Sequence, residues 1–165
     1  AGRQCAADFE NRLSTTTPAT ISPMPTTAGA GVALFMIAMG LGIAAMWTVD
    51  MVRSPEVDRT RGFLSARDRS NGQLLVPHWI AEYGTAALLL VGGIGLLAGW
   101  EPGAWAWLVA AALGALAYTS LNSLGWVLAD RSRFAYAAPM VVGLAGALVA
   151  FALLLGGAIL PTPGS

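Results

Sequence analysis

Two side chains in this sequence stand at a spacing that can handle a proton. His78 and Glu82 are four residues apart in the stretch VPHWIAEY, so on a helix they share one face. A carboxylate one turn from an imidazole holds the ring in one tautomer or stabilises its charged form, the minimum needed for proton handling. The plainer reading, and the preferred one, is that the pair anchors a helix end where polar groups reach water cheaply. A second polar group is Tyr118-Thr119-Ser120-Leu121-Asn122-Ser123. Tyr118 and Asn122 share a face there, continued by Trp126. Ser and Thr can satisfy themselves on carbonyls of their own helix and so carry little weight. A third is Asp50, one turn before Arg53. A carboxylate at a helix C-terminus opposes the helix dipole, so pairing with an Arg is expected.

Other chemistries find no residues to carry them. A single His and a single cysteine, Cys5, make neither bis-His haem ligation, a zinc or iron–sulfur set, nor an intrachain disulfide. The sequence has no Gly-rich phosphate loop followed by Lys and no Ser-centred nucleophile motif. No metal and no cofactor is expected, and a non-catalytic role is favoured over an enzymatic one. The formal charge is zero, so there is no basic footprint for nucleic acid.

The elements that must position these residues follow from composition. The chain is 56% hydrophobic and only 11% charged, against roughly 25% charged in ordinary soluble domains. Its apolar residues fall in runs long enough to cross a bilayer as helices. The expected fold is an all-α integral membrane protein with four transmembrane helices in an antiparallel bundle, over residues 29–160. The spans are read at about 29–52, 78–99, 104–129 and 134–160. Between the first two lies an Arg-rich loop, 53–77. There Ser54-Pro55-Glu56 reads as a helix start and Asn71-Gly72 as a stop. That pattern predicts a short interfacial helix over roughly 55–70, although Val57, Phe63, Leu64 and Ala66 give it only a ragged apolar face. Thr26 or Thr27 can cap the first span. Residues 1–28 are polar, rich in Thr and Pro, and expected to be disordered. Residues 1–23 precede Met24 and are readable as a tag, a processed remnant or a mis-called start. No cleavable signal peptide is expected, because no apolar segment precedes the first span.

Arg placement sets orientation. The loop after span one holds five of the nine Arg, Arg53, Arg59, Arg61, Arg67 and Arg69, and that after span three holds Arg131 and Arg133. The loop between spans two and three has none. Positive residues mark the cytoplasmic side, so both termini are expected to be extracytoplasmic. The absence of Lys, with abundant Ala and Gly, points to a high-GC bacterial genome and hence to the bacterial inner membrane. The six Trp fall into two belts. Trp47, Trp79 and Trp126 lie at the cytoplasmic ends, and Trp100, Trp105 and Trp107 at the outer ends, as interface anchors.

Depth then sharpens the site. Glu82 lies a turn deeper than His78, where an acid is costly and needs a partner; Arg53 is the expected one. Counting back from Asp130 puts Asn122 roughly 12 Å above the same end, in the same leaflet. An amide there needs hydrogen-bond partners, either as glue between helices or lining a cleft. The candidate site is therefore Asp50, Arg53, His78, Glu82 and Asn122, with Tyr118 beside them as a binding or partner-contact residue.

Small residues allow helices to approach closely in lipid. Ala38/Gly42, Gly95/Gly99, Ala110/Gly114, Gly143/Ala147 and Gly146/Ala150 are each four apart, and Gly42, Gly95, Gly99, Gly114 and Gly143 are the expected packing glycines. The sequence alone thus favours a non-catalytic accessory or assembly subunit of a larger bacterial inner-membrane complex, serving lipid or solute transport or respiration. Its partners would be membrane lipids and other integral subunits or itself. The runner-up is a small oligomeric transporter or channel using Glu82 and Asn122. A third reading is a membrane enzyme acting on a lipid headgroup through His78 and Glu82, with Arg53 or Arg69 on phosphate.

Overall fold

The computed structural model describes residues 26–53, 57–58, 67–68, 74–100, 102–129 and 131–159. Four long helices dominate them: α1 Thr27–Arg53, α2 Leu75–Leu97, α3 Pro102–Ala129 and α4 Ala137–Leu155. A 3-10 turn, Arg131–Tyr136, leads into α4. Each helix, with that turn counted into the last, is long and apolar enough to cross a membrane. Among the described residues the chain is thus all-helical apart from one two-residue strand pair, and it has the make-up of a multi-pass membrane protein. The outer surface agrees: Leu34, Leu41, Ile80, Ile94, Leu121, Val142 and Leu148 all stand more than half exposed, a surface of the kind that lipid rather than water covers.

The helix ends follow local chemistry. Thr26 is the cap of α1: the Gly29 N–H donates to Thr26 Oγ1 at 3.0 Å, satisfying one of the first-turn donors. The same hydroxyl donates to Ala158 O at 2.8 Å, tying the start of α1 to the chain just past α4. Pro102 opens α3, where its missing N–H costs nothing. Helix α2 ends in a glycine cap: Gly99 takes φ +66°, its N–H donates to Leu96 O at 3.3 Å, and the Trp100 N–H donates to Gly95 O at 3.1 Å. This paired-bond cap needs a left-handed residue, which glycine supplies without a Cβ penalty. Gly157, at φ +71°, repeats it after α4, with Ala158 N–H donating to Leu153 O at 3.0 Å.

Neighbours in sequence pack as neighbours in space, α1 on α2, α2 on α3 and α3 on α4, while α1 and α4 touch only sparingly. The closest backbone approach joins α1 and α2. A Cβ on Gly93 would lie 2.8 Å from Ala33 O, and one on Gly40 would lie 3.0 Å from Ala86 O. Across α3 and α4, a Cβ on Gly143 would meet Ser120 Oγ at 2.7 Å, and the Phe35 ring of α1 lies over Gly146. The interior between them is filled by Met36, Leu89, Val109, Leu113 and Leu116.

Several expectations change. The helix expected over 55–70 is replaced, at its described residues, by a two-residue ladder: β1 Val57–Asp58 pairs antiparallel with β2 Arg67–Asp68. The ragged apolar pattern gave a helix no face to bury, whereas the ladder satisfies backbone groups at once. Span two begins earlier than 78, at Leu75, with Pro77 inside the first turn, where it removes no helical hydrogen bond. Among the expected packing glycines, Gly143 lies at a helix contact. Gly42 and Gly114 meet nothing within 4 Å. Gly95 and Gly99 belong to the α2 cap, with the Trp100 indole lying on Gly95, the apolar contact that accompanies such a cap. The expectations for residues 1–25, for most of the Arg-rich loop and for the tail after 159 fall outside the described residues.

Candidate functional site

The polar centre of the molecule is a buried Glu82 on α2. Only 2% of it is exposed, and the Ser123 hydroxyl of α3 donates to its Oε1 at 2.8 Å. The His78 Nε2 lies 3.7 Å from the same oxygen, an ion-pair distance too long for a hydrogen bond. The indole N–H of Trp47, on α1, is buried without a well-formed bond among the described residues and stands among the donors near the carboxylate. Three helices thus converge on one carboxyl group. Among the described residues no Arg forms an ion pair with it; the role expected of Arg53 falls to a hydroxyl and an imidazole.

His78 is itself buried. Its ring stacks on Trp126 of α3, centroids 4.5 Å apart and planes 16° off parallel. Against Trp47 it makes an edge contact at 4.6 Å and 81°. The imidazole therefore fills a slot between two indoles that fixes its plane whatever its charge; when charged, it gains cation–π attraction from both. Below Trp47 on α1, Tyr83 Oη and Thr48 Oγ1 lie 2.7 Å apart, within hydrogen-bond distance, a second polar tie between α1 and α2.

The remaining expected residues divide. Asp50 is half-buried and lines a small pocket with Trp47, Ser123 and Trp126, beside the Glu82 centre. Arg53 is exposed at the last turn of α1. Asn122 faces outward, as does Tyr118, which is 68% exposed. The face of α3 turned to Glu82 carries Thr119, Ser120 and Ser123 instead, all buried. Thr119 spends its hydroxyl on Ala115 O at 3.0 Å, as expected of such residues, but Ser123 does not. Of the Trp residues, Trp47 and Trp79 are buried and Trp126 partly so, packed inside the protein. Trp100 and Trp107 are exposed, and Trp105 stacks at a tilt on Trp100, 4.3 Å between centroids.

A cavity opens beside Glu82, between α1, α3 and the start of α4. Its volume is about 340 Å³, and Glu82, Ser120, Gly42, Met46, Tyr136 and Met140 are among its lining residues. It lies at the seam where α1 and α4 barely touch. No group of three His, Cys, Asp or Glu able to hold a metal ion occurs among the described residues. Comparison with known proteins finds no matching family model, no matching curated protein and no matching solved structure.

Proposed function

We propose that the chain is a bacterial inner-membrane protein of four antiparallel spans, with both termini extracytoplasmic, and that it serves as a non-catalytic subunit of a larger membrane assembly. The observation that carries the reading is the outward face of α3. Gly114, Tyr118, Asn122 and Gly125 recur at spacings of four, four and three, so they form one stripe along the helix. A Cβ on Gly114 or Gly125 would meet nothing within 4 Å, and both Tyr118 and Asn122 are exposed. Glycine lets a second helix approach closely, and an amide facing hydrocarbon is expensive unless another helix supplies its hydrogen bonds. The occupant that fits is a transmembrane helix of another subunit, offering a polar side chain to Asn122. The Arg-bearing loops support the orientation.

The test is isolation from the native membrane in mild detergent, followed by identification of what travels with the chain. A stoichiometric integral partner, lost in Asn122→Leu while the bundle stays folded, is the expected result. A chain that travels alone as a monomer, or only with copies of itself, overturns the subunit reading. The cavity beside Glu82 favours the runner-up, a small oligomeric transporter or channel, which flux through the purified protein in liposomes would reveal.

A further inference from the structure

We propose that the cavity beside Glu82 is a binding site for a monocationic amphiphile, an amine with a compact apolar body. Four observations on different elements meet there. Glu82 is an ionisable group buried at 2% exposure that also lines an open cavity. A core acid whose only task is structural has no need of a cavity beside it; this one, packed to 2% exposure, is still among the residues that line one. The cavity volume, about 340 Å³, lies at the lower end of the range for small-molecule sites, roughly 300–1,000 Å³. Thr119 and Ser120 are also in its wall, which is otherwise largely apolar, with Met46, Met140 and Met39 supplying soft, adaptable surface and Tyr136 an aromatic face. Its lining residues on α1 and α4 flank the sparse seam between those helices, which makes the bilayer the route of entry in this proposal.

The charge of the occupant follows from the wall. Glu82 receives the Ser123 hydroxyl and stands 3.7 Å from His78, and among the described residues no Arg pairs with it. With Glu82 ionised, an ammonium entering the cavity meets a carboxylate already oriented by Ser123, in a medium where such a pair is screened little. An anion would meet a carboxylate in the same confined space and be repelled. A neutral alcohol of equal size would gain the apolar walls but not the ion pair. The polar group of the ligand therefore lies at Glu82 and its apolar body among the methionines. Nothing in this site depends on a partner subunit, so it stands apart from the docking face of α3.

The experiment uses the full chain in lipid nanodiscs and two probes of equal chain length, n-octylammonium and n-octanol. Binding is read by quenching or shift of tryptophan emission, since Trp47 and Trp126 line the adjoining small pocket, which shares Met46, Tyr136 and Met140 with the cavity, and by the shift in unfolding temperature. The expected result is saturable octylammonium binding at least about tenfold tighter than octanol, with Glu82→Gln removing the preference. Gly42 lines the cavity and its Cβ direction is open, so Gly42→Phe fills the space without disturbing a helix contact and should abolish binding of both probes. Equal affinity for the two probes overturns the proposal, as does an undiminished preference in Glu82→Gln. Should Glu82→Gln fail to fold, Gly42→Phe decides: saturable octylammonium binding that survives the filled cavity overturns it.

Discussion

Ser123 on α3 donates its hydroxyl to Glu82 on α2 at 2.8 Å, with both side chains buried. This bond joins two helices whose remaining contacts are largely apolar, and a polar bond between apolar helices fixes register and rotation as well as contributing energy. It also explains how an acid survives at this position without an Arg. The hydroxyl takes one carboxyl oxygen, and the imidazole plane held between two indoles lies on the same side.

A double-mutant cycle measures that bond. Ser123→Ala should cost about 1–2 kcal/mol of unfolding free energy in the wild-type background. In a Glu82→Met background, where the acceptor is gone, the same change should cost close to nothing. Equal costs in the two backgrounds would show that Ser123 contributes only through packing. In the same assay, and in any assay of assembly, Glu82→Gln should be more damaging than Glu101→Gln. Equal tolerance of both would remove Glu82 from the functional account.

The four spans were legible because a bilayer demands long apolar runs, and the ends at Thr26 and Gly99 because those residues have local work that sequence exposes; Pro102 opens α3 two residues before the expected start at 104, and the turn at Gly157 ends α4 at Leu155, inside the span expected to run to 160. The rotation of each helix was not legible. In a water-soluble bundle the polar face identifies itself, but here both the packed and the outward face are apolar, so a helix can be turned by one residue without any change in its pattern. That is why Tyr118 and Asn122 read as companions of Glu82 while Thr119, Ser120 and Ser123 occupy the inward face. Ser123 was discounted because its hydroxyl can bond to its own helix; the signal that finds it is its pairing with a buried acid, visible only in three dimensions. His78 and Glu82 were legible together because the i, i+4 relation is intrahelical. The indoles on either side of His78 were read as interface anchors because Trp47 and Trp126 fall near helix ends, a position that interior packing and lipid anchoring share.

His78 should behave as a shape as much as a base. Its ring fills the slot between Trp47 and Trp126, so His78→Ala should leave a cavity and cost about 2 kcal/mol or more. His78→Phe keeps a planar ring and should cost less than about 1.5 kcal/mol. Thermal unfolding followed by tryptophan fluorescence distinguishes them. If Phe is as damaging as Ala, the contact with Glu82 outweighs the stacking, and the slot is secondary.

Two sets of glycines predict opposite outcomes for one substitution. Gly93→Val places a Cβ within 2.8 Å of Ala33 O. That forces α1 and α2 apart, and it should cost about 1–3 kcal/mol. Gly114→Val meets nothing within 4 Å and should leave the isolated chain within about 0.5 kcal/mol of wild type. It should nonetheless weaken the proposed assembly, because it thickens the stripe bearing Tyr118 and Asn122. Unfolding of the purified chain and co-isolation from membranes, run on both variants, separate stability from association. Loss of stability in Gly114→Val would mean that this face is occupied within the chain itself.

Orientation is open to a direct chemical test, because the sequence holds one cysteine, Cys5. In the proposed orientation the Arg-bearing first and third loops are cytoplasmic, which puts Cys5 outside. A membrane-impermeant maleimide applied to intact cells should label Cys5. In a Cys5→Ser background it should label Gly103→Cys from outside and Ser132→Cys only after permeabilisation. The two introduced sites lie at opposite ends of α3, a helix of 28 residues and so about 42 Å long at 1.5 Å per residue, enough to separate the two aqueous phases. The reverse labelling pattern would put the Arg-rich loops outside. The open seam between α1 and α4 and the Glu82 cavity would be unaffected, but the leaflet from which an amphiphile reaches Glu82 would change from the inner to the outer one.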